Sequence, residues 1–159
     1  MIYLQLLFLI IVANGAPIIG RRLVNERWAT PIDGGAVFID GFPLLGTSKT
    51  YRGVLFSILA TPLVAMGIGL SWDIGLMVSL LAMMGDCLSS FVKRRFNRPS
   101  SSMALGLDQI PESLLPLLGV GQQLSLTWEG IVATVAGFVI VELLLSGLLY
   151  TLHIRRHPY

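Results

Sequence analysis

Within an apolar part of the chain, Gly85-Asp86-Cys87-Leu88-Ser89-Ser90-Phe91-Val92-Lys93-Arg94-Arg95 sets one carboxylate about two helical turns ahead of three consecutive cations. Ionisable groups inside a membrane-spanning segment are rare and usually functional. A carboxylate can hold a divalent cation and a basic cluster can hold phosphate, so this spacing suits a metal-and-phosphate site. The plainer alternative is that Asp86 only caps a helix and the cations only set topology.

Further polar groups tip the balance. Leu107-Asp108-Gln109-Ile110-Pro111-Glu112 carries two acids four residues apart, on one face of a helix. They repel when both are ionised, and a divalent cation shared between them or with Asp86 removes that penalty. Acids suited to a helix dipole explain the same spacing more simply. Upstream, Gly46-Thr47-Ser48-Lys49-Thr50-Tyr51-Arg52-Gly53 sets Lys49 and Arg52 beside glycines and hydroxyls where a helix begins. Backbone N–H groups there can cradle an anion, and a helix N-terminus favours one. The GxxxxGK[ST] spacing of a Walker loop is absent, so a solvated turn with topogenic cations competes with this reading. Glu142, midway along the last apolar run, is expected to support the helix bundle rather than touch a phosphate. The two histidines follow all the apolar runs, so no Ser-His-Asp set is in view, and the single Cys87 excludes an intrachain disulfide.

The elements that must position these groups are membrane helices. Hydrophobic residues make up 54% of the 159 and charged residues 13%, against the ~25% charged of a soluble domain, and the mean hydropathy is +0.77. Apolar runs cover residues 1–19 and about 53–70, 74–91, 105–124 and 130–152, each near the ~20 residues that cross the hydrocarbon. No cation precedes the first run and Arg21 and Arg22 follow it, so it reads as an uncleaved span rather than a signal peptide. All 11 Lys and Arg fall in the first loop, the third loop and the tail. Alternating spans put these on one face, and the positive-inside rule makes it cytoplasmic. The expectation is one all-α integral membrane domain over 1–159: five transmembrane helices, N-terminus outside, C-terminus cytoplasmic, with a long first cytoplasmic loop. A net charge of +2 gives no reason to expect nucleic acid as a partner.

These motifs together resemble the CDP-archaeol synthase family, relatives of the phosphatidate cytidylyltransferases. Those enzymes carry glycine-aspartate, then serine, then lysine-arginine; here the pattern is Gly85-Asp86, Ser90 and Lys93-Arg94. Gly106, Asp108-Gln109 and Glu112 resemble the archaeal-lipid branch, as do Asn14, Pro17, Pro31-Ile32-Asp33, Asp40-Gly41 and Lys49-Thr50-x-Arg52-Gly53. The histidine-glycine-glycine of the phosphatidate enzymes is missing, and Arg98-Pro99-Ser100 stands where they have lysine-aspartate.

The resemblance implies transfer of a cytidylyl group from CTP to a lipid phosphate, giving CDP-lipid and pyrophosphate at the cytoplasmic side of the cell membrane. It implies Asp86 and Asp108 as ligands of Mg²⁺ with Glu112 as a further one, and Asp86, Asp108 and Lys93 as the catalytic set. Lys49, Thr50, Arg52, Ser90 and Arg94, with Asp33 and Asp40, would bind substrate, and a homo-oligomer stays open. The rival is a small transporter or assembly subunit without catalysis, which would spread polar groups through the membrane depth. Here the intramembrane acids other than Glu142 collect near one face.

Overall fold

The computed structural model describes residues 1–24, 28–100, 102 and 104–151, the last four by backbone alone. Arg27 and the tail with His153, Arg155, Arg156 and His157, on which part of the topology argument rests, lie outside the described residues. Five helices follow in order: α1 (Ile2–Val24), α2 (Tyr51–Gly67), α3 (Trp72–Arg95), α4 (Gln109–Gly121) and α5 (Trp128–Thr151). Strand pairing among the described residues is limited to two isolated bridges in the first loop.

α3 is the element against which most of the others pack, chiefly α4 on one side and α2 on the other. Its inward face carries Gly75, Ser79, Ala82, Gly85 and Ser89, all buried. Small residues let backbones approach closely where lipid supplies no hydrophobic drive for helix association. A Cβ at Gly75 would stand 2.6 Å from the Pro62 Cα of α2. The core itself is apolar, built from Leu6, Ile10, Ala65, Val78, Leu117 and Phe138 among others. Pro17 supplies no N–H to the Ala13 carbonyl four residues earlier, and Ser57 Oγ of α2 donates to that carbonyl at 2.9 Å. Outward-facing Leu63, Met66, Met84 and Leu144 are exposed, as lipid-facing residues are.

The helix lengths differ from the expectation of five spans near 20 residues. α1, α3 and α5 are long and apolar enough to cross a membrane. α2 has 17 residues and α4 only 13, which at 1.5 Å per residue is about 25 and 20 Å. The apolar run at 105–124 is not all helix because its start forms a turn. Gly106 takes φ 78° there, its N–H donates to Gln109 Oε1 at 2.7 Å, and the Ala104 N–H donates to Asp108 Oδ2 at 2.8 Å. Pro111, expected to distort the span, lies in the first turn, where a missing N–H costs little.

The first loop is folded. The Asp33 carboxylate accepts the Gly35 and Leu45 N–H groups at 3.0 and 2.9 Å. Burial pushes its pKa up, but these bonds and that of Gly46 outweigh it, and the net pKa lies below the ordinary 3.8. Its stabilisation is therefore present above that ordinary value and is lost as pH falls through the lower folded one. Arg95, at the end of α3, clamps the loop from the other side. Its guanidinium lies 4.7 Å from the Phe38 ring centroid and 4.8 Å from that of Phe91. It also pairs with Asp40 at 3.0 Å and donates to the Pro43 carbonyl at 2.6 Å. Arg95→Met should raise amide hydrogen exchange over residues 36–45 by about tenfold or more, equivalent to ~1.4 kcal/mol, with α1–α5 unchanged. Unchanged loop exchange would show that the clamp holds nothing.

Candidate active site

Gly85 decides the geometry. A Cβ at this position would run into the Pro111 carbonyl and stand 2.7 Å from the Glu112 nitrogen. The missing side chain lets the first turn of α4 sit directly on α3, one residue from Asp86. Glu112 is buried, and its carboxyl lies close to that of Asp86. Asp86 also forms an ion pair with Lys49, which arrives from the loop before α2. Thr50 caps α2 by accepting the Gly53 N–H at 3.2 Å, and this fixes the backbone next to Lys49. Ser48, Lys49 and Asp86 line a small cleft of about 30 Å³ together with Pro17, Val54 and Met83.

A second cluster lies along the same helix and into the next turn. Lys93 and Asp108, both buried, form an ion pair at 2.7 Å. Lys93 also donates to the Ser102 carbonyl at 2.9 Å. Arg94 donates to the Pro99 carbonyl at 3.0 Å and to Ser100 Oγ at 3.3 Å. Ser100 Oγ in turn accepts the Thr47 N–H at 3.3 Å, which joins the third loop to the first beside Gly46. Ser90 is buried on the inward face of α3, and Arg52 is buried in the first turn of α2.

The structure sets Asp86 beside Glu112 and Lys49, and Asp108 against Lys93. Asp33 and Asp40, expected at substrate, hold the first loop's own backbone and Arg95. Glu142 is half-buried, at helical spacing from the buried Thr134, Phe138 and Ser146 of α5, and within electrostatic reach of Glu112. Arg95, Gln109 and Ser100 stand in motifs quoted from the sequence but were given no role there. The partners of Arg95 and Ser100 come from the first loop, and Gln109 accepts the Gly106 N–H within its own turn.

Among the described residues no three His, Cys, Asp or Glu side chains are gathered to hold a metal ion. The adjoining carboxyls of Asp86 and Glu112 nevertheless fit Mg²⁺, which takes oxygen ligands from one or two carboxylates and completes its shell with water and phosphate.

The family model described as CarS-like, CDP-archaeol synthase, matches residues 1–73 and 68–159. A CDP-archaeol synthase of Thermofilum pendens is 34% identical, the alignment covering 93% of this chain and 76% of that protein. One from Sulfurisphaera tokodaii is 32% identical over 94% of this chain and 90% of its own. A solved structure of an intramembrane enzyme for archaeal membrane lipids biosynthesis superposes with a TM-score of 0.73. Its sequence is 30% identical, and the superposition covers 87% of this chain and 89% of that one.

The Lys93–Asp108 pair separates architecture from chemistry. Asp108→Asn leaves a buried ammonium without its counter-ion and should cost about 3–5 kcal/mol of stability. Lys93→Met combined with Asp108→Leu should recover most of that loss without recovering turnover. Thermal unfolding and activity of the single and double variants check this, and a double variant with near-normal activity would contradict it.

Proposed function

Since the chain belongs to the CDP-archaeol synthase family, we propose that it is a membrane cytidylyltransferase that transfers CMP from CTP to a lipid phosphate, giving CDP-lipid and pyrophosphate. The observation that carries this reading is the adjacency of Asp86, Glu112 and Lys49 at the α3–α4 contact, with Lys93, Arg94 and Asp108 beside them. A transporter or assembly subunit gains nothing from so many cations gathered around carboxylates at one end of a bundle. A phosphoryl centre needs that arrangement.

In the proposed reaction an oxygen of the lipid phosphate attacks the α-phosphorus of CTP. The new P–O bond forms as the bond between the α-phosphorus and the bridging oxygen breaks, and pyrophosphate leaves on the opposite side. The attacking oxygen is already anionic, so no protein nucleophile is required. The protein's task is positioning and charge stabilisation. Asp86 and Glu112 would hold Mg²⁺, which when bound neutralises triphosphate charge. Lys93 and Arg94 would exchange their Asp108, Pro99 and Ser100 partners for phosphate oxygens, with Arg52 and Ser90 as further contacts. Lys93 turning to phosphate releases Asp108, the third carboxylate of the site.

The same reading covers the placement. All five helices would cross the plasma membrane with the N-terminus outside, so that α3 ends and α4 begins at the cytoplasmic face where CTP is present. The short α4 follows from its role, because its first turn must reach down to Asp86. Purified protein supplied with CTP, Mg²⁺ and a dialkylglycerol phosphate should release pyrophosphate in step with CDP-lipid. Asp86→Asn should lower kcat by about 10³-fold or more, and Lys49→Ala by about 10²-fold, while both variants insert and fold. Near-normal turnover in both would refute the assignment.

A further inference from the structure

We propose that the hairpin at 36–44 of the first loop is a membrane foot, which lays Val37 and Ile39 into the headgroup–acyl boundary of the leaflet at the Arg95 end of α3. The inference does not depend on the cytidylyltransfer reading. The hairpin's backbone is closed on itself. The Phe38 N–H donates to the Phe42 carbonyl at 2.8 Å, the Leu44 N–H to the Ala36 carbonyl at 2.8 Å and the Gly41 N–H to the Phe38 carbonyl at 3.0 Å. The Phe42 N–H donates to Asp40 Oδ1 at 3.1 Å, and Gly41 takes φ 82° to close the turn. A segment that leaves bulk water must satisfy its backbone polar groups internally, and these bonds do so.

α3 fixes where the hairpin lies. Leu80, Met84, Leu88, Phe91 and Arg95 follow one another at intervals of four, four, three and four residues, which is one stripe of a helix. Leu80, Met84 and Leu88 are exposed on that stripe, and α3 is long and apolar enough to cross a membrane, so the stripe faces lipid. Phe91 and Arg95 continue it, and there the hairpin covers it. Phe38 meets the Phe91 ring edge-on, with 5.3 Å between centroids, and Arg95 lies against both rings. Phe91 follows Leu88 by three residues, about 4.5 Å along the axis. The hairpin therefore stands on the lipid-facing perimeter of the bundle, within one helical turn of a lipid-exposed leucine.

Its side chains suit that place. Ile39, at the tip of the turn, is 95% exposed and Val37 is 64% exposed, so the protein leaves both largely uncovered. At the boundary they gain from acyl chains what they cannot gain from water. Arg95 serves the polar side of the same boundary. At the end of a span its stem runs along apolar surface while its charged head stays at headgroup level, and here Asp40 and the Phe42 and Pro43 carbonyls hold that head.

A nitroxide label tests the placement. It is attached at Ile39→Cys in a Cys87→Ser background of the full-length protein in nanodiscs. Power saturation then compares its collisions with oxygen, which concentrates in the bilayer, and with a neutral nickel chelate, which stays in water. The oxygen-to-nickel ratio should exceed that of the same label at Thr47→Cys, an exposed position of the same loop, by about fivefold or more. A ratio equal to that at Thr47 would place the hairpin in water. Loss of both kinds of collision would mean that protein, such as a second copy of the chain, covers it. Either result overturns the proposal. Ile39→Asn supplies a label-free measurement, because a side chain this exposed has little besides the bilayer to lose. Amide hydrogen exchange over 36–44 should rise about fivefold or more in nanodiscs, and an unchanged rate would likewise overturn the proposal.

Discussion

The contact of Gly85 with the first turn of α4 is the constraint on which the rest depends. Any side chain at that position would meet the Pro111 carbonyl, and backbone cannot move aside as a flexible side chain can. Overpacking of this kind costs about 1–3 kcal/mol when the neighbours can shift, and here the shift would part Asp86 from Glu112. One residue without a Cβ thus brings two acids from different helices close together. Their adjacency is unfavourable unless a cation or a proton sits between them, and Lys49 supplies part of that compensation. With both acids ionised the pair carries one more negative charge than Lys49 neutralises, and a divalent metal would compensate it.

The cations around it are compensated within the protein. Lys49 has Asp86, Lys93 has Asp108, Arg94 has the Pro99 carbonyl and Ser100, and Arg95 has Asp40 and two aromatic faces. Buried charges need such partners, because removing an ion from water without pairing it costs several kcal/mol. The same bonds tie the third loop to the first and both to α3. Phosphate oxygens entering the site would replace internal carbonyls and carboxylates rather than fill an empty basic pocket, so binding and loop arrangement are linked.

Much of this was legible in the sequence. The Gly85-Asp86 to Lys93-Arg94 run lies on one helix, and helical periodicity alone puts its members along a common length of α3. Lys49 beside the start of α2 was legible for the same reason, since Thr50 is a good N-cap residue. Pairing across segments is not legible: the ion pairs of Asp86 with Lys49 and of Asp108 with Lys93 join residues from different segments of the chain. Asp33 and Asp40 looked like substrate groups because acids in a glycine-rich loop suit that role equally well, and only the folded loop reveals the backbone N–H groups and Arg95 that they serve. The length of α4 was overestimated because hydropathy does not register the turn that Gly106 and Asp108 impose. Glu142 was read from its depth in one helix, while its electrostatic link to Glu112 is a property of how α5 meets α4.

The central claim is that Asp86 and Glu112 act as one unit in holding the metal and triphosphate. A double-mutant cycle on Mg²⁺-dependent CTP binding, measured by calorimetry for wild type, Asp86→Asn, Glu112→Gln and the double variant, tests it most directly. Groups that share a ligand are non-additive, so the double variant should lose at least ~1 kcal/mol less than the sum of the single losses. Strict additivity, with all four proteins folded, would contradict the account.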